Sequence, residues 1–291
     1  MRIGYIGLGK MGKPMALNLR KAGFSVTVYD VAPAPVEELV RAGAAKAGSP
    51  AEVGRASDVV FTSLPTVEAS EAVFLGVGGL ASVAKPGQVL ADMSTVGLAT
   101  SKKIAAGVSP TGASFLDSPV SGGPERAIDG TLTIFVGGDA AAFQKAKPAL
   151  EAMGKVVRHV GATGAGCVFK LVNQLLVAIN VIGVAEAISL SNKAGVNPRL
   201  IIEMISTAWG GSTQLTRTGP LMVARDFSPK GTNILLYKDM GFVRQLASDL
   251  GVSITLGEQA WKVFEEAMAD GMAEKDIASV LLLVEKHSKK K

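Results

Sequence analysis

The stretch RIGYIGLGKMGKPMALNL, residues 2–19, decides the fold class of this chain. Within it GLGKMG fits the pattern G-x-G-x-x-G between a strand-like run, RIGYI, and a segment with helical apolar spacing, the context that makes this pattern specific. There Gly7 permits a tight turn, Gly9 lets a ligand approach the backbone, and Gly12 lets the helix pack on the strand. We therefore predict a loop that binds a dinucleotide pyrophosphate at a helix N-terminus. The loop residues are Gly7, Leu8, Gly9, Lys10, Met11 and Gly12.

An acidic residue follows the next strand-like run. Asp30 ends SVTVYD, about the distance after Gly12 at which a carboxylate accepts hydrogen bonds from a ribose. The following stretch, VAPAP, holds no arginine that could neutralise a 2′-phosphate. The sequence therefore favours NAD as cofactor, with NADP possible.

Up to residue 161, short apolar runs alternate with helical patterns. The strand-like runs are RIGYIG, SVTVYD, DVVFTSLP, QVLADMS, ASFLDSPV, TLTIFVGG and KVVRHVG. This alternation predicts βαβ units and a parallel sheet covered on both faces. After GATGAG (residues 161–166) no convincing strand run follows, and a long apolar segment extends from about Cys167 to Ala194. We predict an α/β, Rossmann-type doubly wound domain over residues 1–163 and an all-α domain over residues 164–291, joined by a long interdomain helix.

Composition excludes several classes of site. The net charge is +5, but four lysines lie in the terminal KHSKKK, which we interpret as a solvated, frayed end with nucleic-acid binding as the weaker alternative. The single cysteine, Cys167, excludes an intramolecular disulfide and a cysteine-based metal site, and we expect no metal. No run of 18 apolar residues lacks polar interruption, so we expect a soluble, cytoplasmic protein.

Further candidate residues follow the later strand-like runs, because ligands of doubly wound sheets lie at the carboxyl ends of strands. Leu64 and Pro65 in SLP offer an apolar wall, and Thr95 in DMST offers a hydroxyl near the nicotinamide. In DSPVSGG, the Ser121 side chain and the N–H groups of Gly122 and Gly123 could hold a carboxylate, although a plain turn fits the same letters.

Lys170 lies in the apolar segment GCVFKLVNQLLVAIN, where an unpaired charge is costly. Asn173 is three residues further on and shares its helix face. The chain has two histidines, His159 and His287, and neither lies in a promising catalytic setting. Hydride transfer to a carbonyl needs an acid for the developing oxyanion, and a lysine ammonium can serve. We predict Lys170 as the acid–base group, with Asn173 holding it or a substrate oxygen.

GLGKMGKPMALNL, DSPVSGG, GATGAGCVFKLVNQ and YKDM together resemble the β-hydroxyacid dehydrogenase family, which includes 3-hydroxyisobutyrate dehydrogenase and tartronate semialdehyde reductase. The resemblance covers nearly the whole chain. It implies a Rossmann domain, a helical domain for substrate and oligomerisation, catalytic Lys170, and a substrate carboxylate held around Ser121, Gly122, Gly123 and Asn173. It also implies that Lys238 in YKDM lies by the cofactor, although its composition alone predicts a helix-surface charge.

The resemblance implies reversible oxidation of a small 3-hydroxy acid to its semialdehyde. The long apolar helix predicts an oligomer, a homodimer or homotetramer. Several motifs most resemble tartronate semialdehyde reductase, whereas Trp209 departs from its pattern. Reduction of succinic semialdehyde or glyoxylate, oxidation of a sugar acid such as threonate, and a non-catalytic dinucleotide-binding scaffold are the alternatives. Oxidative decarboxylation is disfavoured, because 6-phosphogluconate dehydrogenases are longer and carry a histidine where this chain has Asn173.

Overall fold

One nine-stranded sheet forms the centre of the first part of the chain. The computed structural model describes residues 1–288. Its strands are β1 (Arg2–Ile6), β2 (Ser25–Tyr29), β3 (Ala45–Lys46), β4 (Val59–Thr62), β5 (Val89–Asp92), β6 (Ser114–Asp117), β7 (Val120–Ser121), β8 (Leu132–Gly138) and β9 (Gly154–Gly161). The strand order is β3-β2-β1-β4-β5-β6-β8-β7, and β9 also pairs with β8.

The sheet is parallel only in part. β1, β2, β4, β5 and β6 are parallel, as predicted, and the short β3, which was not predicted, also pairs in parallel with β2. β6 and β7 both pair with β8 in the antiparallel sense. The run ASFLDSPV, predicted as one strand, breaks between β6 and β7. The break includes Pro119, which has no N–H to donate to a strand ladder.

Helices cover both faces of this sheet, as predicted from its strand and helix alternation. They are α1 (Gly12–Lys21), α2 (Pro33–Arg41), α3 (Pro50–Ala56), α4 (Val67–Leu75), α5 (Leu98–Val108), α6 (Gly123–Ile128) and α7 (Ala140–Glu151). Tyr5 and Phe61 face a core shared with Leu19 of α1. Ile6 and Phe74 belong to a second core, on the other face. β1, β4 and β5 alternate between these two cores, which is why their sequences are almost wholly apolar.

Six helices follow. They are α8 (Ala165–Lys193), α9 (Pro198–Ile205), α10 (Thr213–Ala224), α11 (Asn233–Leu250), α12 (Thr255–Ala269) and α13 (Leu281–Ser288), with a 3-10 turn at Ile277–Val280. Among the described residues after β9 there is no strand beyond an isolated bridge between Thr232 and Asp276. Contacts divide the chain into compact units of residues 1–170 and 171–291, so the division falls within α8. The domain boundary near residue 163 stays a prediction.

Two short helices and one longer one were not expected from apolar spacing. α3 and α6 have seven and six residues, too few for a periodic signal. α10 contains Gly219 and Pro220, which disfavour a helix interior. It forms because Ser212 caps its first turn by accepting the N–H of Leu215, and because Met222 is buried in the second unit's core.

α8 is the core helix of the second unit. Val181, Ala185 and Ile188 are buried and pack with Met240 of α11 and Phe264 of α12. By length and composition alone, α8 could cross a membrane, but a third of the apolar window is buried inside the protein. The core helix of a soluble protein passes the same test of length and composition.

The basic end of the chain is only partly solvated. Lys286, predicted to be frayed, lies on α13 and pairs with Glu266 at 3.1 Å and with Asp270 at 2.5 Å. His287 also contacts Glu266, at 3.0 Å. The frayed end is therefore a wrong prediction for Lys286. Lys289, Lys290 and Lys291 lie outside the described residues.

Candidate functional site

The glycine-rich loop requires glycine at two of its three positions. Gly7 has a φ of 88°, and a Cβ there would collide with the carbonyl oxygen of Ser63. A Cβ on Gly12 would collide with the carbonyl oxygen of Gly7. Gly9 is exposed, and no atom lies within 4 Å of the place where its Cβ would be. No atom of the protein would therefore clash with a larger residue at position 9. The approach of a ligand to the backbone would, in contrast, require glycine there.

The N-terminus of α1 opens at this loop. Met11 occupies the N-cap position and makes no capping hydrogen bond through its side chain. The first amides of a helix have no partner inside the helix, so this end can receive an anion. Lys10 is exposed beside it, whereas Leu8 is buried. The loop thus fits a dinucleotide pyrophosphate.

Asp30 lies directly beside the loop, because β2 and β1 are neighbours. Its Oδ2 accepts the N–H of Leu8 at 2.5 Å, and its Oδ1 accepts the N–H of Ala32 at 2.7 Å. Asp30 therefore holds the glycine-rich loop as well as offering acceptors to a ribose. Val31, the next residue, is 90% exposed, and residues 31–35 carry no cation.

The ends of β4 and β5 are joined by hydrogen bonds. The N–H of Leu64 donates to Ser94 Oγ at 2.8 Å, and the Leu64 side chain lies against Gly7. Pro65 is exposed and Thr95 is half-buried. Leu64 thus lies at the glycine-rich loop, and Thr95 follows the end of β5, the next strand of the sheet.

Asp92 organises these two strand ends. Its Oδ1 accepts the hydroxyl of Thr62 at 2.8 Å and the N–H of Ser94 at 2.9 Å. Burial raises its pKa, although these hydrogen bonds oppose the shift. Sequence reasoning did not single out Asp92, and its only signal was a carboxylate at the end of an apolar strand.

Asp117, at the end of β6, anchors the start of α8. Its Oδ1 accepts the N–H of Gly164 at 2.7 Å, and its Oδ2 accepts the N–H of Cys167 at 2.8 Å. Burial raises the pKa of Asp117, while these backbone donors lower it. A Cβ on Gly166 would come within 2.6 Å of the Phe135 carbonyl oxygen, so the first turn of α8 lies tightly on β8. Asp117 was not among the predicted site residues, because its partners lie far along the chain.

Lys170 follows this anchored turn and is 9% exposed. The preceding residue, Phe169, packs against Phe135 of β8 with 5.9 Å between ring centroids. Lys170 is therefore a buried cation on α8, and its catalytic role stays a prediction. Lys170 and the first turn of α8 belong to the same compact unit as the glycine-rich loop.

DSPVSGG (residues 117–123) starts at the last residue of β6 and continues through β7, which pairs with β8. The N–H of Phe135 donates to the Pro119 carbonyl oxygen at 3.1 Å, and Ser121 is paired with Thr133. Gly122 and Gly123 have φ values of 139° and 72°, which favour glycine. β8 thus connects the predicted carboxylate site to the first turns of α8.

In the second unit, two hydrogen bonds join Asn173, Gln174 and Asp239, and an ion pair joins Asp239 to Lys238. Asn173 Nδ2 donates to Gln174 Oε1 at 3.0 Å, and Gln174 Nε2 donates to Asp239 Oδ2 at 2.7 Å. Lys238 Nζ lies 3.4 Å from Asp239 Oδ1 and 5.7 Å from the ring centre of Phe242. Lys238 is therefore more than the helix-surface charge that composition alone predicts. Gln174 and Asp239 were not predicted as site residues, because nothing in the sequence pairs them.

Other candidate nucleophiles and bases are unsuited to chemistry. Cys167 is buried, and burial raises the pKa of its thiol to about 12, which leaves it protonated. The His159 ring stacks on Phe143, and its Nε2 lies 2.8 Å from the Gly138 carbonyl oxygen. No cluster of three potential metal ligands occurs within residues 1–288.

Two family models match the chain. One, described as the NAD binding domain of 6-phosphogluconate dehydrogenase, matches residues 2–161. The other, described as NAD-binding of NADP-dependent 3-hydroxyisobutyrate dehydrogenase, matches residues 164–284. The prediction of an NAD(P)-binding protein is confirmed.

Known proteins are similar over nearly the whole length. The chain is 38% identical over 282 residues to 2-(hydroxymethyl)glutarate dehydrogenase of Eubacterium barkeri, covering 97% of this chain and 94% of that protein. It is 34% identical over 285 residues to 2-hydroxy-3-oxopropionate reductase of Escherichia coli, covering 98% and 97%. A Mycobacterium tuberculosis 3-hydroxyisobutyrate dehydrogenase, solved with L-serine, superposes with a TM-score of 0.90 at 31% identity, covering 98% and 99%.

These matches agree with the geometry of the glycine-rich loop, the doubly wound sheet and the helical second unit. They confirm both the predicted fold class and the resemblance on which the sequence-based prediction of activity rested. The chain belongs to the β-hydroxyacid dehydrogenase family of NAD(P)-dependent oxidoreductases.

Proposed function

We propose that this protein interconverts a small 3-hydroxy acid and its semialdehyde, with Lys170 as the acid–base group. The observation that carries the proposal is the buried setting of Lys170, one turn beyond a helix end anchored by Asp117. In the oxidative direction, the neutral amine of Lys170 accepts the proton of the substrate hydroxyl. In the reductive direction, its ammonium returns a proton to the carbonyl oxygen. Bound NAD(P) supplies or accepts the hydride.

The other predicted residues have complementary roles. Ser121 and the backbone N–H groups of Gly122 and Gly123 hold the substrate carboxylate, and Asn173 contacts the substrate from the face of α8 that it shares with Lys170. Thr95, Leu64 and Pro65 line the nicotinamide end, and Lys238 lies by the cofactor. In this assignment residues 1–163 bind the dinucleotide, and residues 164–291 contribute to substrate binding and oligomerisation.

NAD is the proposed cofactor, with NADP as the alternative. Support comes from the Asp30 carboxylate beside the loop and from the absence of a cation in residues 31–35. A 2′-phosphate there would meet a negative charge with no local counter-charge.

The substrate is proposed to be of the tartronate semialdehyde or 3-hydroxyisobutyrate type. The relatives include a reductase of 2-hydroxy-3-oxopropionate, which is tartronate semialdehyde, and dehydrogenases of 3-hydroxyisobutyrate. Each such substrate pairs a carboxylate with a neighbouring hydroxymethyl or aldehyde group. Succinic semialdehyde, glyoxylate and threonate are the competing substrates. Trp209, fully exposed in the segment between α9 and α10, lies where the sequence departs from the pattern of the tartronate enzymes.

We further propose a soluble, cytoplasmic homo-oligomer, a dimer or a tetramer. Phe169, Val172, Leu176 and Leu190 of α8 are 49%, 51%, 54% and 72% exposed. Their spacing places them along one face of the helix. An exposed apolar stripe of this length is typical of a protein interface.

An absorbance screen of nicotinamide reduction and oxidation tests the activity. The wild-type protein is offered 3-hydroxyisobutyrate, glycerate, threonate, 4-hydroxybutyrate and the corresponding aldehydes, each with NAD and with NADP. We expect turnover with a 3-hydroxy acid and NAD. If NAD binds but no hydroxy acid or aldehyde is turned over, the scaffold alternative is correct instead.

A further inference from the structure

In the hydrogen-bonded chain of Asn173, Gln174 and Asp239, the Asp239 carboxylate determines which groups donate and which accept. Asp239 is 6% exposed and lies 3.4 Å from the Lys238 ammonium, in the setting of an ion pair. An ionised carboxylate can only accept hydrogen bonds. The group of Gln174 that lies 2.7 Å from Asp239 Oδ2 must therefore be its N–H₂ donor.

The orientation of the Gln174 amide in turn determines the orientation of the Asn173 amide. Because Gln174 turns Nε2 towards Asp239, its Oε1 faces Asn173, which must donate through Nδ2, as it does at 3.0 Å. Turning either amide around would bring two acceptors or two donors together. Each such mismatch leaves a polar group without a hydrogen bond, and the desolvation of that group is then not compensated. The Asp239 charge therefore fixes both amides, and Asn173 Oδ1 is turned away from Gln174.

We propose that Gln174 is a positioning residue that makes Asn173 present its carbonyl oxygen, not its N–H₂ group, to the substrate. The inference rests on the proposed function, in which Asn173 shares the face of α8 that carries Lys170. A carbonyl oxygen binds a hydroxyl donor and repels a carboxylate. Asn173 thus recognises the substrate hydroxyl, and the carboxylate is left to Ser121, Gly122 and Gly123.

Three ligands of similar shape test whether Asn173 presents its carbonyl oxygen or its N–H₂ group to the substrate. 3-Hydroxyisobutyrate, isobutyrate and methylmalonate carry a hydroxymethyl, a methyl and a carboxylate group at the same branch of one carbon skeleton. Their affinities are measured by calorimetry on the NAD-loaded protein, so the readout needs no turnover. The wild type should bind 3-hydroxyisobutyrate most tightly and methylmalonate least.

Gln174→Met keeps the side-chain length and removes the hydrogen bonds to Asn173 and Asp239, so the Asn173 amide can turn round. We expect its methylmalonate to 3-hydroxyisobutyrate affinity ratio to rise about tenfold, because one charge-assisted hydrogen bond replaces one repulsion. The matched control is Gln245→Met, which removes an exposed bond to Asp249, 2.7 Å long, on α11. The control should keep the wild-type ratio.

A structural role alone would weaken all three ligands together and leave their ratio unchanged. An unchanged ratio in Gln174→Met, a wild type that prefers methylmalonate, or a wild type that binds none of the three contradicts the positioning role. A wild type that shows the expected order of affinities but turns over no hydroxy acid in the screen counts against the proposed function alone.

Discussion

Lys170 is the residue on which the proposed chemistry depends. Lys170→Ala removes the ammonium but no part of the glycine-rich loop. We expect NAD affinity to stay near the wild-type value and turnover to fall at least ~100-fold, the usual effect of losing an acid–base group. Fluorescence titration measures the affinity for NAD, and nicotinamide absorbance measures the turnover. Lys193→Ala, an exposed lysine at the other end of α8, is the control, and near-normal turnover of Lys170→Ala would exclude the proposed role.

Asp30 is expected to act on cofactor choice and on loop geometry at once. Its carboxylate holds the Leu8 N–H, so Asp30→Ala should weaken both cofactors several-fold. The loss should be greater for NAD, because removing the carboxylate also relieves the repulsion of a 2′-phosphate. Titration with each cofactor measures the two affinities, with the exposed Glu37→Ala as control. Equal losses for NAD and NADP would argue against ribose recognition by Asp30.

Among the elements, α8 depends most on one side chain. Asp117 accepts two N–H groups at its first turn with both carboxylate oxygens, whereas an asparagine offers one oxygen. We expect Asp117→Asn to lower the free energy of unfolding by about 1–3 kcal/mol and to reduce turnover, because Lys170 loses its fixed position. Asp139→Asn is the matched control, since Asp139 caps α7 from an exposed position and asparagine caps equally well. Urea unfolding compares the two, and equal stabilities would contradict the anchoring role.

β1 and β4 are joined at their starts by an ion pair that predicts a pH dependence. Asp58 accepts the Arg2 N–H at 2.9 Å and its guanidinium at 2.8 Å, and this lowers the pKa of Asp58 to about 2. A lowered pKa in the folded state means that the stabilisation is present above about pH 4, the pKa range of an unfolded aspartate, and lost as the pH falls through about 2.

Asp58→Asn should therefore be less stable than the wild type at pH 6 and equally stable near pH 2. The difference at pH 6 should be at most about 1 kcal/mol, because solvent screens this partly exposed pair. Urea unfolding across this pH range measures it. Asp129→Asn, an exposed carboxylate, controls for the loss of charge. A difference that does not change with pH would show that the ion pair is not its source.

Elements with a local signal could be predicted from the sequence, whereas those fixed by distant partners could not. The glycine-rich loop and the strands β1, β2, β4, β5 and β6 follow from apolar runs and from glycines whose turns are local. The two-residue strand β3 was not predicted, because Ala45 and Lys46 are exposed and form no apolar run. The antiparallel pairing of β8 depends on contacts between segments far apart in the chain, and α10 forms despite Gly219 and Pro220. In the site, Lys170 stood out as a charge in an apolar run. Asp117 and Asp239 did not, because their hydrogen-bond partners lie far away in sequence.

For the whole molecule, the apolar face of α8 predicts how copies of the chain associate. Leu176 is 54% exposed in the middle of the stripe formed by Phe169, Val172, Leu176 and Leu190. A charge there would have to be buried unpaired if this stripe joins two copies. We expect Leu176→Glu to shift the protein from oligomer towards monomer, as measured by light scattering on a sizing column. Leu250→Glu, at the end of α11 with 66% of the residue exposed, should leave the mass unchanged. A Leu176→Glu variant with the wild-type mass would exclude this face as the interface. A stable dimer must bury roughly 800 Å² on each copy, so another apolar surface would then have to form the interface. The exposed apolar residues of α9 would be the next candidates.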